Sequence, residues 1–150
     1  MLYSIGEAAR MLGVSASALR YYDREGLLPH VGRTDGGTRL FAEDDLEWFH
    51  FIERLKRSGM PICEIKRYVE LYLAGDATLE ERRELVRARR DAVERELEEL
   101  RDTLDFITYK CWFYDTAIEA GTADAARSLP PEQMPPEIRA IKERCGIRVY

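Results

Sequence analysis

Cysteine is scarce in this chain, with three in 150 residues at positions 63, 111 and 145. An odd number so widely spaced makes no disulfide framework, so the sequence reads as that of a reduced, cytoplasmic protein. Histidine is scarcer still. His30 and His50 lie beside no Ser or Cys nucleophile in sequence, no metal-ligand spacing is present, and there is no Gly-rich phosphate loop. The reading is therefore of a protein that is not an enzyme and holds no metal or cofactor. Long apolar runs are missing too: the best candidate, residues 48–52, is interrupted by His50 and falls far short of the ~20 residues that span a bilayer. The N-terminal Met1-Leu2-Tyr3-Ser4 has neither the basic nor the apolar part of a secretory signal. Finally there is no excess of positive charge, since 23 Lys and Arg stand against 28 Asp and Glu. That balance counts against a nucleic acid partner, because affinity for DNA comes mostly from cations on phosphates.

What is present answers that objection by position. Charged residues make up 34% of the chain, above the roughly one quarter of ordinary globular proteins, which suggests long solvated helices. Residues 1–42 carry Arg10, Arg20, Arg24, Arg33 and Arg39 against Glu7, Asp23, Glu25 and Asp35, a net charge of +1. Residues 76–150 carry 13 basic and 17 acidic side chains, so the acidity belongs to the back half.

Ser4-Ile5-Gly6-Glu7 has the form of a capping box, and a short helix to about Leu12 follows. Gly13-Val14 makes a tight turn, Ser15 caps a second helix from Ala16 to about Glu25, and Gly26 ends it. Two short helices across such a turn are a helix-turn-helix, whose second helix enters the major groove. Asp35-Gly36 then signals a hairpin between residues 31–33 and 38–41, which makes the unit winged. Helices over about 43–57 and 61–73 each carry one apolar stripe, and they complete a small N-terminal core.

Thr78-Leu79-Glu80-Glu81 has the form of a second capping box, after which neither Gly nor Pro occurs until Gly121. One helix of roughly 40 residues fits, on the order of 60 Å long. Along it Val86, Arg90, Val93, Leu97, Leu100, Leu104, Ile107, Cys111 and Tyr114 alternate steps of four and three, the a/d seam of a coiled coil. A small N-terminal domain cannot cover so long a stripe, so a second copy of the chain is the simplest partner. The expected architecture is mainly α: a winged helix-turn-helix domain over 1–75, a coiled-coil dimerisation helix over 76–120, and a short C-terminal effector or cap segment over 121–150.

Residues 3–9 (Tyr-Ser-Ile-Gly-Glu-Ala-Ala), Gly13-Val14-Ser15, residues 19–23 (Leu-Arg-Tyr-Tyr-Asp), Gly26-Leu27-Leu28-Pro29 and residues 37–41 (Gly-Thr-Arg-Leu-Phe) come in the order and spacing of one known domain. Residues 1 to about 73 resemble the N-terminal domain of the MerR family of transcriptional regulators. The resemblance implies a homodimer joined by an antiparallel coiled coil and bound to a near-palindromic operator in double-stranded promoter DNA. In that family the operator lies in an over-long promoter spacer, and a bound effector makes the dimer twist and kink the DNA, aligning the promoter for RNA polymerase, which is thereby an indirect partner. Two departures stand out: Gly37-Thr38-Arg39 lacks the aromatic residue that often precedes the wing Arg, and Ala42 replaces a Ser that commonly caps the next helix.

The residues themselves support that assignment. Ser15, Ala16 and Ser17 are small and sit at a helix N-terminus, so they permit close approach to bases or phosphates. Arg20, Tyr21 and the wing residues Arg33 and Arg39 complete the expected DNA-binding set, with Arg20, Tyr21 and Arg39 assigned mainly to phosphates. The competing reading pairs Arg20 with Asp23 or Glu7 and packs Tyr21 inward. Adjacent helical residues point about 100° apart, so Tyr22 belongs to the core if Tyr21 faces DNA. With few cations per chain, a shallow salt dependence and reliance on backbone N–H groups and DNA shape follow.

The effector is less legible. The family's metal sensors carry Cys near the start of the dimerisation helix, and residues 75–86 contain none, which disfavours metal. In the antiparallel dimer Cys63 and Cys111 of opposite chains come near one another, a basis for a thiol switch. The alternative treats each cysteine as a small apolar side chain. Tyr109, Trp112 and Phe113, at the end of the long helix, either wall a pocket for an unidentified hydrophobic small molecule or pack against the C-terminal segment. Glu119 or Asp115 would complement a cationic ligand there. Two further readings are a DNA-architectural or excision-type winged-helix protein without promoter activation, and a coiled-coil adaptor that binds no DNA.

Overall fold

The computed structural model describes residues 1–34 and 36–147. The elements run β1 (Tyr3–Ser4), α1 (Ile5–Leu12), α2 (Ala16–Arg24), β2 (Gly32–Arg33), β3 (Arg39–Phe41), α3 (Glu43–Arg57), α4 (Ile62–Leu73), α5 (Leu79–Ala120), α6 (Ala123–Arg127) and α7 (Pro136–Arg144). Single 3-10 turns occupy Asp76–Thr78 and Pro131–Gln133. No helix among the described residues is long and apolar enough to cross a membrane.

Local chemistry accounts for the first elements. Ser4 Oγ accepts from the Glu7 N–H at 3.4 Å, and the Glu7 carboxylate accepts from the Ser4 N–H at 2.8 Å, closing the capping box that starts α1. Gly13, at φ 66°, ends α1: its own N–H reaches the Arg10 carbonyl at 3.3 Å and the Val14 N–H reaches Ala9 at 3.0 Å. The same paired closure recurs at Gly26, φ 74°, with bonds to Asp23 and from Leu27 to Tyr22, both 3.0 Å. A Cβ at either glycine would be forced into the left-handed region. α3 starts without a side-chain cap from Ala42, and the buried Asp45 carboxylate instead accepts the Ala42 N–H at 2.7 Å.

The sheet has three strands in the order β1-β3-β2, both pairs antiparallel. The sequence indicates only the hairpin of β2 and β3. The third strand arises because Tyr3 and Ser4 pair with Phe41 and Leu40, a partnership 36 or more residues away in the chain. At the wing tip Thr34 and Thr38 close the turn (N–H to carbonyl, 2.9 Å), and Gly36 and Gly37 lie exposed within it. Asp35, half of the expected turn signal, lies outside the described residues.

The chain divides by packing into two units, Met1–Val93 and Glu94–Tyr150. In the first, Leu19, Leu27, Phe41, Phe49, Ile52 and Ile65 are fully buried between the short helices and the sheet. The Trp48 indole N–H donates to the Leu27 carbonyl at 2.8 Å. The first turns of α5 belong to this unit. Thr78 does not cap α5 as the sequence suggests: its buried hydroxyl lies 2.6 Å from the Leu71 carbonyl and 2.8 Å from that of Gly75, while Glu81 pairs with Arg67 at 2.9 Å. Closing the α4–α5 connection takes precedence over the local cap, because a buried hydroxyl left unbonded costs about 1–3 kcal/mol.

In the second unit Tyr109, Phe113 and Ala117 of α5 pack with Ala126, Ile138 and Ile141 from α6 and α7. Asp105 and Arg144 form an ion pair across the same packing. Along α5 Val86, Val93, Leu97, Leu100, Leu104, Ile107 and Tyr114 are 38–65% exposed, so the chain by itself leaves the heptad seam uncovered.

Two surface carboxyls set an acid response. Glu7, bonded to Ser4, and Glu25, paired with Lys66, are both held below the ordinary value of 4.5. A carboxyl lowered on folding contributes stability that is complete above its unfolded value and is lost as pH falls through the folded value. Thermal melts below about pH 4.5 are expected to drop steeply for the wild type and less so for Glu7→Gln/Glu25→Gln. Equal slopes for the two would remove these groups from the account.

Candidate nucleic-acid interface

α2 begins at an open, uncountered positive end. Ser15 Oγ accepts from the Ala18 N–H at 3.1 Å, and the first turn of the helix contains no acidic residue. Ser15 and Ser17 are exposed and Ala16 is half-buried. The capping bond satisfies one N–H of the terminus, and the small side chains beside it leave room for an anion to approach.

The two adjacent tyrosines part as helical geometry requires. Tyr21 is 37% exposed, with the Arg24 guanidinium 5.8 Å from its ring centroid. Tyr22 is buried, its ring edge-on to Phe49 at 5.1 Å. The Tyr22 hydroxyl has a role that the sequence does not disclose: it bonds Glu53 and accepts from Lys56 Nζ at 2.8 Å, tying α2 to α3. Burial, followed by the Glu53 contact, raises the phenol above its ordinary range, and the Tyr22 bond raises Lys56.

Arg20 is exposed and makes no ion pair among the described residues. Both acids that the sequence offers it are engaged elsewhere: Glu7 by Ser4, and Asp23 by the wing. Arg33 and Arg39 are direct cross-strand partners on β2 and β3. Arg33 reaches Asp23 Oδ2 at 3.0 Å, and Arg39 reaches the same oxygen at 2.5 Å. On α4 Lys66 pairs with Glu25 at the end of α2. Along α2 and the wing bound to it through Asp23 lie an open helix terminus, Arg20 without an ion pair among the described residues, Tyr21 beside Arg24, and two wing guanidinium groups.

The other singled-out residues lie elsewhere. Cys63 on α4 and Cys111 on α5 are exposed free thiols, and Cys145 is half-buried. Tyr109 and Phe113 are buried within the second unit, with Trp112 half-buried at its edge. The Tyr109 hydroxyl has no hydrogen-bond partner among the described residues, and burial raises its pKa.

Comparison with known proteins agrees with this geometry. The family described as "MerR HTH family regulatory protein" matches residues 3–71, and that described as "MerR, DNA binding" matches residues 46–108. The chain is 42% identical over 130 residues to an uncharacterized HTH-type transcriptional regulator of Haemophilus influenzae, covering 87% of this chain and 96% of that protein. It is similar to the crystal structure of HiNmlR, described as a MerR family regulator lacking the sensor domain, bound to promoter DNA. That match has TM-score 0.70 and 42% identity and covers 83% of this chain and 99% of that one. A MerR-family regulator from Listeria monocytogenes matches with TM-score 0.73 at 34% identity, over 79% of this chain and 90% of that one. A helix-turn-helix whose second helix has an open terminus, a wing braced against that helix, and similarity along nearly the whole of a related regulator lead to one conclusion: the chain belongs to the MerR family of DNA-binding transcriptional regulators, which are not enzymes.

Proposed function

We propose that the protein acts in the cytoplasm as an effector-responsive homodimer that grips a near-palindromic promoter operator and activates by distorting the spacer DNA for RNA polymerase. The observation that carries the dimer is the exposed seam on α5, because seven large side chains 38–65% exposed in one stripe require a matching stripe. Charge favours the antiparallel arrangement. Residues 79–93 hold five Arg against four acids, and residues 94–120 hold three basic against eight acidic residues. A parallel pairing would set the acidic stretches side by side.

DNA is gripped by Ser15, Ala16 and Ser17 at the terminus of α2, by Arg20 and Tyr21 on its next turn, and by Arg33 and Arg39 on the wing. The effector response belongs to the second unit, where the Tyr109 hydroxyl, without a hydrogen-bond partner among the described residues, lies buried beside Phe113 and Trp112. The effector we propose for it is a small, largely apolar molecule. Exposed Cys63 supplies a second, thiol-based route.

The test begins with a gel shift on a duplex carrying the chain's own upstream region. Arg20→Ala and Arg39→Ala are expected to weaken binding and to lower the salt slope by about one for each phosphate contact removed, two per dimer. Unchanged binding in both variants would overturn the assignment of these residues. Transcription in vitro from a promoter with a long spacer then separates an activator from an architectural protein, which binds without raising transcript.

A further inference from the structure

The two wing arginines pose an electrostatic problem that one side chain of the reading helix answers. Arg33 and Arg39 face each other across β2 and β3, where opposite Cβ atoms sit roughly 5 Å apart and like charges repel. Asp23, near the end of α2, places one carboxylate oxygen on both: 3.0 Å from Arg33, and 2.5 Å from Arg39 through both Nε and Nη2. The side chain of Asp23 is 13% exposed and that of Arg39 24%, whereas Arg33 is 51% exposed. The Asp23–Arg39 contact is thus largely shielded from water and salt, and the Arg33 contact sits at the rim.

We propose that Asp23 is the positioning residue of the DNA-binding face, holding Arg33 and Arg39 together and locking the wing to the reading helix so that both engage the operator as one unit. The proposal rests on the reading of the wing arginines as phosphate contacts. A guanidinium has five N–H donors, so each arginine bound to Asp23 still has donors to offer a phosphate. Without the carboxylate the two cations would repel and sample separate rotamers, and that freedom would have to be lost on binding.

The sign of the effect separates positioning from bulk electrostatics. Asp23→Asn removes a negative charge from a surface that meets a polyanion, so long-range attraction alone predicts tighter binding to every DNA. Positioning predicts weaker binding to the operator alone. Affinities are to be measured for a duplex of the chain's own upstream region and for a random-sequence duplex, in the wild type, Asp23→Asn, Arg33→Ala, Arg39→Ala and the double variant Asp23→Asn/Arg39→Ala. The expected result for Asp23→Asn is a loss of about tenfold on the operator, with random-sequence affinity unchanged or higher. In the Arg39→Ala background the same change is expected to matter by about twofold or less. Operator affinity that is unchanged or raised in Asp23→Asn, or an undiminished loss in the Arg39→Ala background, overturns the proposal. If Arg33→Ala and Arg39→Ala are themselves silent, the phosphate reading of the wing fails first; if they weaken binding and Asp23→Asn does not, only the positioning role falls. Asp23→Ser, judged by the same outcomes, replaces Asp23→Asn should the latter melt below the assay temperature.

Discussion

Leu100→Glu combined with Leu104→Glu is expected to convert the protein to a monomer and to reduce operator affinity by about 100-fold or more. The two leucines are 65% and 64% exposed on α5, and in the proposed dimer the partner's helix covers them. Covering a leucine contributes about 1.5–3 kcal/mol, and a dimer would bury four at these two positions alone. Glutamate removes that contribution and puts carboxylates into the apolar seam, within a segment already rich in acid. A monomer reaches one half-site only, and the second half of a palindrome then adds nothing to affinity. Light scattering would report a mass near 17.4 kDa where the wild type gives twice that. Circular dichroism of the N-terminal unit should hold, since Leu100 and Leu104 lie outside Met1–Val93. A variant that stays dimeric would remove α5 as the dimer contact.

Phe49→Ala is expected to destabilise the first unit by about 3–5 kcal/mol, the range for a large aromatic cut to alanine in a core. The ring is 2% exposed and meets Tyr22 edge-on at 5.1 Å. Its loss opens a void directly beneath α2, the helix proposed to read DNA. Because single domains are stable by only about 5–15 kcal/mol, the urea midpoint should fall sharply and operator binding at physiological temperature should fail. Phe49→Leu, which keeps most of the volume, should cost less than about 1.5 kcal/mol and retain binding. Equal midpoints for the alanine variant and the wild type would show that Phe49 does not support α2.

The difference between these predictions reflects what can be read along the chain. The seam on α5 is a periodic signal within one element, legible in the spacing of Val86 through Tyr114 alone. So are the Ser4–Glu7 box, the glycines that end α1 and α2, and the bounds of α3 at 43–57. Each depends on groups within about four residues of one another, the range over which backbone bonds and caps act. Tyr21 and Tyr22 belong with them, for their different faces follow from helical rotation alone.

Other features escape such reading because their partners are distant in sequence. Asp23 looks like a neighbour for Arg20, three positions away, yet it binds Arg33 and Arg39, ten and sixteen residues on. Thr78 has the form of a cap and instead closes the loop to Leu71. β1 pairs with a strand some 36 residues later, and no residue pattern in Tyr3-Ser4 announces it. In the second unit the sequence leaves the aromatic cluster of Tyr109 and Phe113 open between core and pocket; Ala126, Ile138 and Ile141 pack against it, and the Tyr109 hydroxyl has no hydrogen-bond partner among the described residues.

By itself, then, the amino-acid sequence determined the helices α1 to α5, the ends of α1 and α2, the helix-turn-helix motif and the seam, all of which depend on local geometry and periodicity. Only the tertiary structure decided which charges meet: it sent Asp23 to the wing, and Arg20 makes no ion pair among the described residues. The reason is physical, since an ion pair forms wherever folding brings opposite charges within a few ångströms, and chain separation does not enter Coulomb's law.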